Sequence, residues 1–126
     1  MAKKMTKAKI RKLAEEIRDL LLEQEMWVDV RIYFNGVAFS TDDGHGNYYY
    51  NDREHLVELP DQDPRWYFDY VGPYLSMRFE GEFYEVLNGY LGKYGWDIEE
   101  AFRELLKEYG LYYELGNAWN LSVYDL

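Results

Sequence analysis

The chain contains no cysteine. That excludes a disulfide framework, a thiolate zinc site and a cysteine nucleophile. It has only three prolines, Pro60, Pro64 and Pro73, all within one short stretch. No apolar run approaches the ~18 residues of a membrane-spanning helix. The first dozen residues are basic, but no continuous apolar stretch follows them, which argues against a secretory signal. The expected location is the cytoplasm. Phosphate-cradling glycine loops are lacking too: Gly89, Gly92 and Gly95 have neither the preceding strand nor the spacing of such loops. Ser40, Ser76 and Ser122 sit in no G-x-S-x-G setting.

What is abundant is acid and aromatic surface. The 126 residues carry a formal charge of −10, and fourteen are tyrosine. Length and composition fit one globular domain that folds without a staple. The charge is uneven. Residues 1–25 are net +2, through Lys3, Lys4, Lys7, Lys9, Arg11, Lys12 and Arg18, and residues 26–126 are net −12. Such a body repels nucleic acid and attracts basic surfaces. The basic cluster reads first as the solvated start of a helix.

Local patterns give the elements. Ile10, Leu13, Ile17, Leu20 and Leu21 recur at helical spacing and predict a helix over 5–25, with Thr6 as N-cap. Its stripe fits core contact or a helix–helix seam. Val28, Val30, Ile32 and Phe34 alternate before Asn35-Gly36, and a second run, 37–41, follows. This is a type I′ hairpin signal. Tyr48–Tyr50 is expected to add a third strand. Residues 51–73 read as irregular, with a helical turn starting at Asp63-Pro64. Leu75, Met77 and Phe79 predict a strand, and Phe83, Val86, Leu87 and Tyr90 a short helix weakened by Gly89. Asp97 with Glu100 predicts the start of a last helix, ending at Gly110. Strands over 111–115 and 120–124 follow, joined through Gly116-Asn117. The fold class is α+β: a mostly antiparallel sheet, an N-terminal helix and two further helices packed on it.

The segment 42–70 carries the functional interest. It holds eight acids, Asp42, Asp43, Asp52, Glu54, Glu58, Asp61, Asp63 and Asp69, against Arg53 and Arg65. Tyr48, Tyr49, Tyr50, Trp66, Tyr67, Phe68 and Tyr70 lie among them. The rings either pack into the core or form a contact surface, where tyrosine and tryptophan bury large area at low entropic cost. His45 and His55, with Asp42, Asp43 and Asp52 nearby, match no histidine-pair or calcium-loop spacing, so neither metal nor cofactor is implied. Glu80, Glu82 and Glu114 are available for acid–base work, but nothing places two carboxylates in different environments. Glu100, Glu104 and Glu108 repeat every ~6 Å along a helix, close to the ~7 Å spacing of DNA phosphates. The same spacing is also an ordinary solvent face, diluted by Arg103 and Lys107.

Three stretches, Tyr48–His55, Leu75–Asn88 and Tyr109–Ser122, resemble small accessory proteins of bacterial phages and conjugative elements. In type, the chain is also similar to anti-CRISPR and antirestriction inhibitors. That resemblance implies a stoichiometric inhibitor that occupies a basic groove of a nucleic-acid-handling enzyme; it carries over no site residue. The expected function is therefore a non-enzymatic binder of a basic protein surface. Asp42, Asp43, Asp52, Glu54, Glu58, Asp61, Asp63 and Asp69 would supply charge, and Trp66 and Tyr67 anchors. Direct nucleic-acid binding is not expected. The alternatives are a self-associating module, which would bury the first helix or the aromatic segment in a homodimer, and a small carboxylate-using enzyme.

Overall fold

A computed structural model describes residues 5–126. Lys3 and Lys4 of the basic cluster lie outside them. The first helix, α1 (Lys7–Glu23), is capped by the Thr6 side chain, which accepts from the Lys9 amide at 3.2 Å. Ile10, Leu13, Ile17 and Leu21 are buried in the main core, so the stripe is spent inside the chain's own fold. The helix ends in a Schellman motif. Met26 and Glu25 donate to Leu21 and Leu22, and Glu25 takes the left-handed conformation at φ 56. This turn delivers Met26 and Trp27 into the core.

The strands are β1 (Val30–Phe34), β2 (Val37–Ser40), β3 (Val57–Leu59), β4 (Leu75–Phe79), β5 (Leu111–Asn117) and β6 (Asn120–Asp125). They form one antiparallel sheet in the order β3-β2-β1-β4-β6-β5. Asn35 (φ 49) and Gly36 (φ 79) make the expected type I′ turn. Alternation then sorts the side chains. Val30, Ile32, Phe34, Phe39, Leu75, Met77 and Phe79 join the main core with the helices. Arg31, Tyr33, Ala38, Ser40, Ser76 and Arg78 face the other way.

Two helices complete the packed layer: α2 (Glu82–Leu87) and α3 (Gly92–Glu108). The helix α3 begins five residues before Asp97, so Asp97 is not its cap; it pairs with Lys93 at 3.1 Å instead. Close packing decides the start. A Cβ on buried Gly95 would meet the Leu91 Cβ, one turn back, at 2.9 Å and would lie 3.7 Å from the Val86 Cα of α2, so the glycine lets the turn between α2 and α3 close. Gly89 carries no helix-interior cost, because α2 has ended and Gly89 sits beyond its C-cap at φ 79.

Two further expectations are corrected. Tyr48–Tyr50 is no strand: it contributes one bridge, Tyr48 to Asp42, before Asn51 turns the chain at φ 52. Three consecutive tyrosines offer no apolar–polar alternation to select a face, whereas Val57-Glu58-Leu59 does, and that segment is the third strand. The last hairpin turns at Ala118-Trp119, not at Gly116-Asn117, with a bulge between Leu115 and Asn117. The Asn117 side chain accepts from the Trp119 amide at 2.9 Å and fixes this turn.

Residues 60–74 run as a strap across the sheet face opposite the helices. Its one buried ring, Phe68, packs edge-on to Tyr33 at 5.5 Å and near Trp119 at 6.1 Å, closing a second, small core with Ala38 and Val71. At Gly72 the strap lies flat on β6; a Cβ there would meet the Val123 carbonyl oxygen at 2.5 Å.

Candidate partner-binding surface

The strap is built so that one ring goes in and its neighbours stay out. The Asp63 carboxylate accepts from the Arg65 amide at 2.9 Å and caps a 3-10 turn over Pro64–Trp66, as Asp63-Pro64 led us to expect. Tyr67 closes that turn, and Phe68 donates back to the Pro64 carbonyl. This leaves Trp66 65% and Tyr70 70% exposed. Tyr67 is also exposed, although its ring tilts over Tyr33 at 5.9 Å. A shallow recess of about 470 Å³ runs from Trp66 past Arg65, Pro64, Asp63 and Asp61 to Gly36 at the hairpin tip. The Gln62 amide, bonded to the Gly36 carbonyl at 2.8 Å, holds strap and tip together.

The ten residues singled out from the sequence do not form one patch. Asp61, Asp63 and Trp66 line the recess at Gly36, and Tyr67 sits beside Trp66 over Tyr33. Asp42 and Asp43 lie past the other end of β2, beyond Ser40. Asp52 and Glu54 belong to a loop held against the middle of α1. The carboxylates also differ in how committed they are.

Asp42 receives Arg31 at 3.1 Å and the Ser40 hydroxyl at 2.7 Å. Burial alone would raise its pKa; the Ser40 hydrogen bond and the Arg31 guanidinium outweigh burial and hold it below the ordinary carboxylate value. Asp43 folds its own loop, accepting from the Asn47 side chain and the His45 amide; both bonds lower its pKa. Asp52 holds the His55 ring at 2.6 Å and accepts the Glu54 amide. Glu58 takes Arg11 at 2.8 Å, across 47 residues of sequence. Asp63 takes Arg65 at 2.8 Å. Glu54, Asp61 and Asp69 carry no such ion pair among the described residues. Asp43 is held only by neutral donors, so the carboxylate charge left unpaired within the fold lies on these three and on Asp43.

The 51–55 loop is pinned from beneath. Arg18, buried in the middle of α1, donates to the Asp52 carbonyl at 2.9 Å and the His55 carbonyl at 3.4 Å, over the Trp27 ring. Burial holds its guanidinium below the ordinary arginine value, with Asp19 and Asp52 opposing. Trp27 and Asn51 exchange two further bonds, each 2.9 Å. Arg18→Met keeps the stem and removes both donors. Amide exchange over residues 51–56 is expected to rise at least ~10-fold while the β1–β2 hairpin keeps its protection, because only local bonds are lost. Unchanged exchange in that loop would refute the pin.

The other expected chemistry finds no assembled site. Glu80, Glu82 and Glu114 are all exposed. Glu100, Glu104 and Glu108 lie on the exposed side of α3, on the helical layer and so away from the strap; Glu104 is neutralised in part by Lys107 at 3.6 Å. One aromatic patch escaped the sequence reading. Tyr90, Tyr94 and Trp96 are exposed around the α2–α3 junction. Tyr90 had been counted in the α2 stripe; the signal that corrects this is Gly89 before it and Gly92 after it. No family model, curated protein or solved structure matches the chain.

Proposed function

We propose that this protein is a non-enzymatic, acidic binding protein of a mobile genetic element, whose strap docks on a basic surface of a nucleic-acid-handling enzyme and blocks it stoichiometrically. The observation that carries the reading is the strap itself: Trp66, Tyr67 and Tyr70 stand exposed on the segment that carries Asp61 and Asp69, which have no ion pair among the described residues. Rings of this size in water, bordered by free carboxylates, match the make-up of an interface centre with a charged rim. The net charge of −10 adds a long-range attraction for a basic partner. The phage-like and inhibitor-like resemblance supplies the class of partner.

The test has two arms. Captured partners are identified by mass spectrometry with the native chain and with Trp66→Ala as the control. Binding of the recovered enzyme is then measured as salt rises. Trp66→Ala is expected to weaken binding by at least ~30-fold, as loss of a central aromatic anchor does. Asp61→Asn with Asp69→Asn is expected mainly to slow association and to flatten its salt dependence. Failure to recover a basic nucleic-acid enzyme, or indifference to these changes, would overturn the proposal. Self-association through the same rings predicts a concentration-dependent dimer by light scattering. A monomer at micromolar concentration removes it.

A further inference from the structure

We infer that Arg31, Arg78 and Tyr33, on the strap side of the sheet, form a binding site for an oxyanion of the phosphate class. Register brings them together. Arg31 and Arg78 are direct partners across β1 and β4, and Tyr33 is the next residue of β1 on the same face, opposite Ser76. Two cations facing each other across a strand pair repel and are a poor choice for stability alone. Asp42 compensates only Arg31, which it grips through both carboxylate oxygens at 3.1 Å. Arg78 is half-buried, and its guanidinium has no hydrogen bond or ion pair among the described residues. In a chain with 24 acids and 14 Lys and Arg residues, a half-buried guanidinium without a carboxylate is conspicuous.

The second, independent observation is the Tyr33 hydroxyl. Tyr33 is 1% exposed, and its hydroxyl oxygen is buried without a hydrogen-bond partner. Arg78 acts on it by charge, and Arg31 by charge and as a nearby donor outside strict hydrogen-bond geometry, but no acceptor stands against the hydroxyl proton. Buried phenols ordinarily find a partner. The groups gathered here are donors: two guanidinium forks and a hydroxyl whose proton has no acceptor. Their complement is an acceptor-rich anion. A carboxylate would be satisfied by the Arg78 fork alone. A phosphate has oxygens left to accept from the Tyr33 hydroxyl and the free edge of Arg31. Arg78 keeps part of its surface open, and exposed Tyr67 is the ring at the border, so entry does not breach the main core.

This site takes a ligand of the charge opposite to the strap's proposed partner, and it does not depend on that proposal. The intact chain, labelled with nitrogen-15, is titrated with inorganic phosphate and separately with acetate, at constant ionic strength set by chloride. Phosphate is expected to give saturable shifts of the Arg78 and Arg31 side-chain N–H signals and to bind several-fold more tightly than acetate. Arg78→Gln should abolish saturation, and Arg78→Lys, which keeps the charge but loses the fork, should weaken it about tenfold. Tyr33→Phe, which removes the hydroxyl donor, should weaken phosphate severalfold and leave acetate unchanged. Backbone shifts of β1 and β4 away from the site report whether each variant is folded. Non-saturating shifts, equal affinity for acetate, or phosphate binding that survives both Arg78 variants would overturn the assignment.

Discussion

Phe102→Ala is expected to be the most damaging single truncation, costing about 3–5 kcal/mol of unfolding free energy. Phe102 is fully buried and stands in a chain of rings that crosses the fold. Phe79 meets Phe83 edge-on at 5.5 Å, Phe83 meets Phe102 at 5.3 Å, and Phe102 meets Tyr113 at 5.3 Å. The four rings belong in turn to β4, α2, α3 and β5, so one side chain links the central sheet to both later helices and to an edge strand. Alanine removes the transfer free energy of a phenyl group and leaves a cavity among rigid neighbours, which relax only in part. The melting temperature should fall by roughly 10–20 °C for a domain of this size. Phe102→Leu should lose well under half as much, because most of the volume is retained.

A local readout accompanies the global one. Burial and then the 2.7 Å bond to Glu99 hold the Tyr113 phenol above its ordinary value. With Phe102 removed, water reaches Tyr113, and its titration should move down. Tyr109, bonded to Glu16 at 2.9 Å on the far side of α3, should move less. A loss below about 1 kcal/mol, with the Tyr113 titration unmoved, would mean that Phe102 is not at this junction.

The same packing explains which parts of the fold are legible in the sequence. Asn35-Gly36 needs nothing outside four residues to choose its turn, because both φ angles are locally permitted. Strands β1 and β4 alternate apolar and polar side chains, and the stripe of α1 has a single period; these are local properties too. The start of α3 is not local. Asp97 has the chemistry of a cap, but the helix already begins at Gly92, and Gly95 in its first turn lies against the Val86 backbone of α2. Tyr48–Tyr50 fails for another reason: three identical side chains carry no periodic signal, so the strand passes to 57–59, where Glu58 can reach Arg11. For the surface, the sequence marks an acidic, aromatic segment but not which of its carboxylates are engaged within the fold. Acids were counted as charge, whereas the partners that consume them, Arg11 for Glu58 and Arg31 for Asp42, come from elsewhere in the fold. The inward turn of Phe68, which leaves Trp66, Tyr67 and Tyr70 outside, depends on Tyr33 waiting beneath it.

Asp42→Asn is expected to cost about 2–3 kcal/mol, the scale of a charge-assisted network in a partly buried site. Asp42 is acidic, lies in the acidic segment and would pass for partner-facing charge. Its oxygens, however, accept from Nε and Nη2 of Arg31, the Ser40 hydroxyl and the Gly44 amide. The Arg31 side chain is only 14% exposed and stands opposite half-buried Arg78, so losing the carboxylate leaves the Arg31 charge uncompensated beside a second cation. An asparagine keeps one acceptor but turns an amine toward a guanidinium. The pH dependence follows from the lowered pKa. The carboxylate's contribution is complete above its unfolded value of about 3.9 and is lost as pH falls through the depressed folded value. The stability gap between native chain and variant, measured by urea unfolding, should therefore be constant from pH 7 to about 5 and close as the acid limit is approached. Asp61→Asn and Asp69→Asn should each stay within about 0.5 kcal/mol of the native chain across that range, as unpaired surface changes do. A gap for Asp42→Asn that is absent at pH 7 would return Asp42 to the surface set. A gap that closes in acid, beside two neutral changes on the strap, divides the acidic segment into carboxylates that hold the sheet together and carboxylates left free to meet a partner.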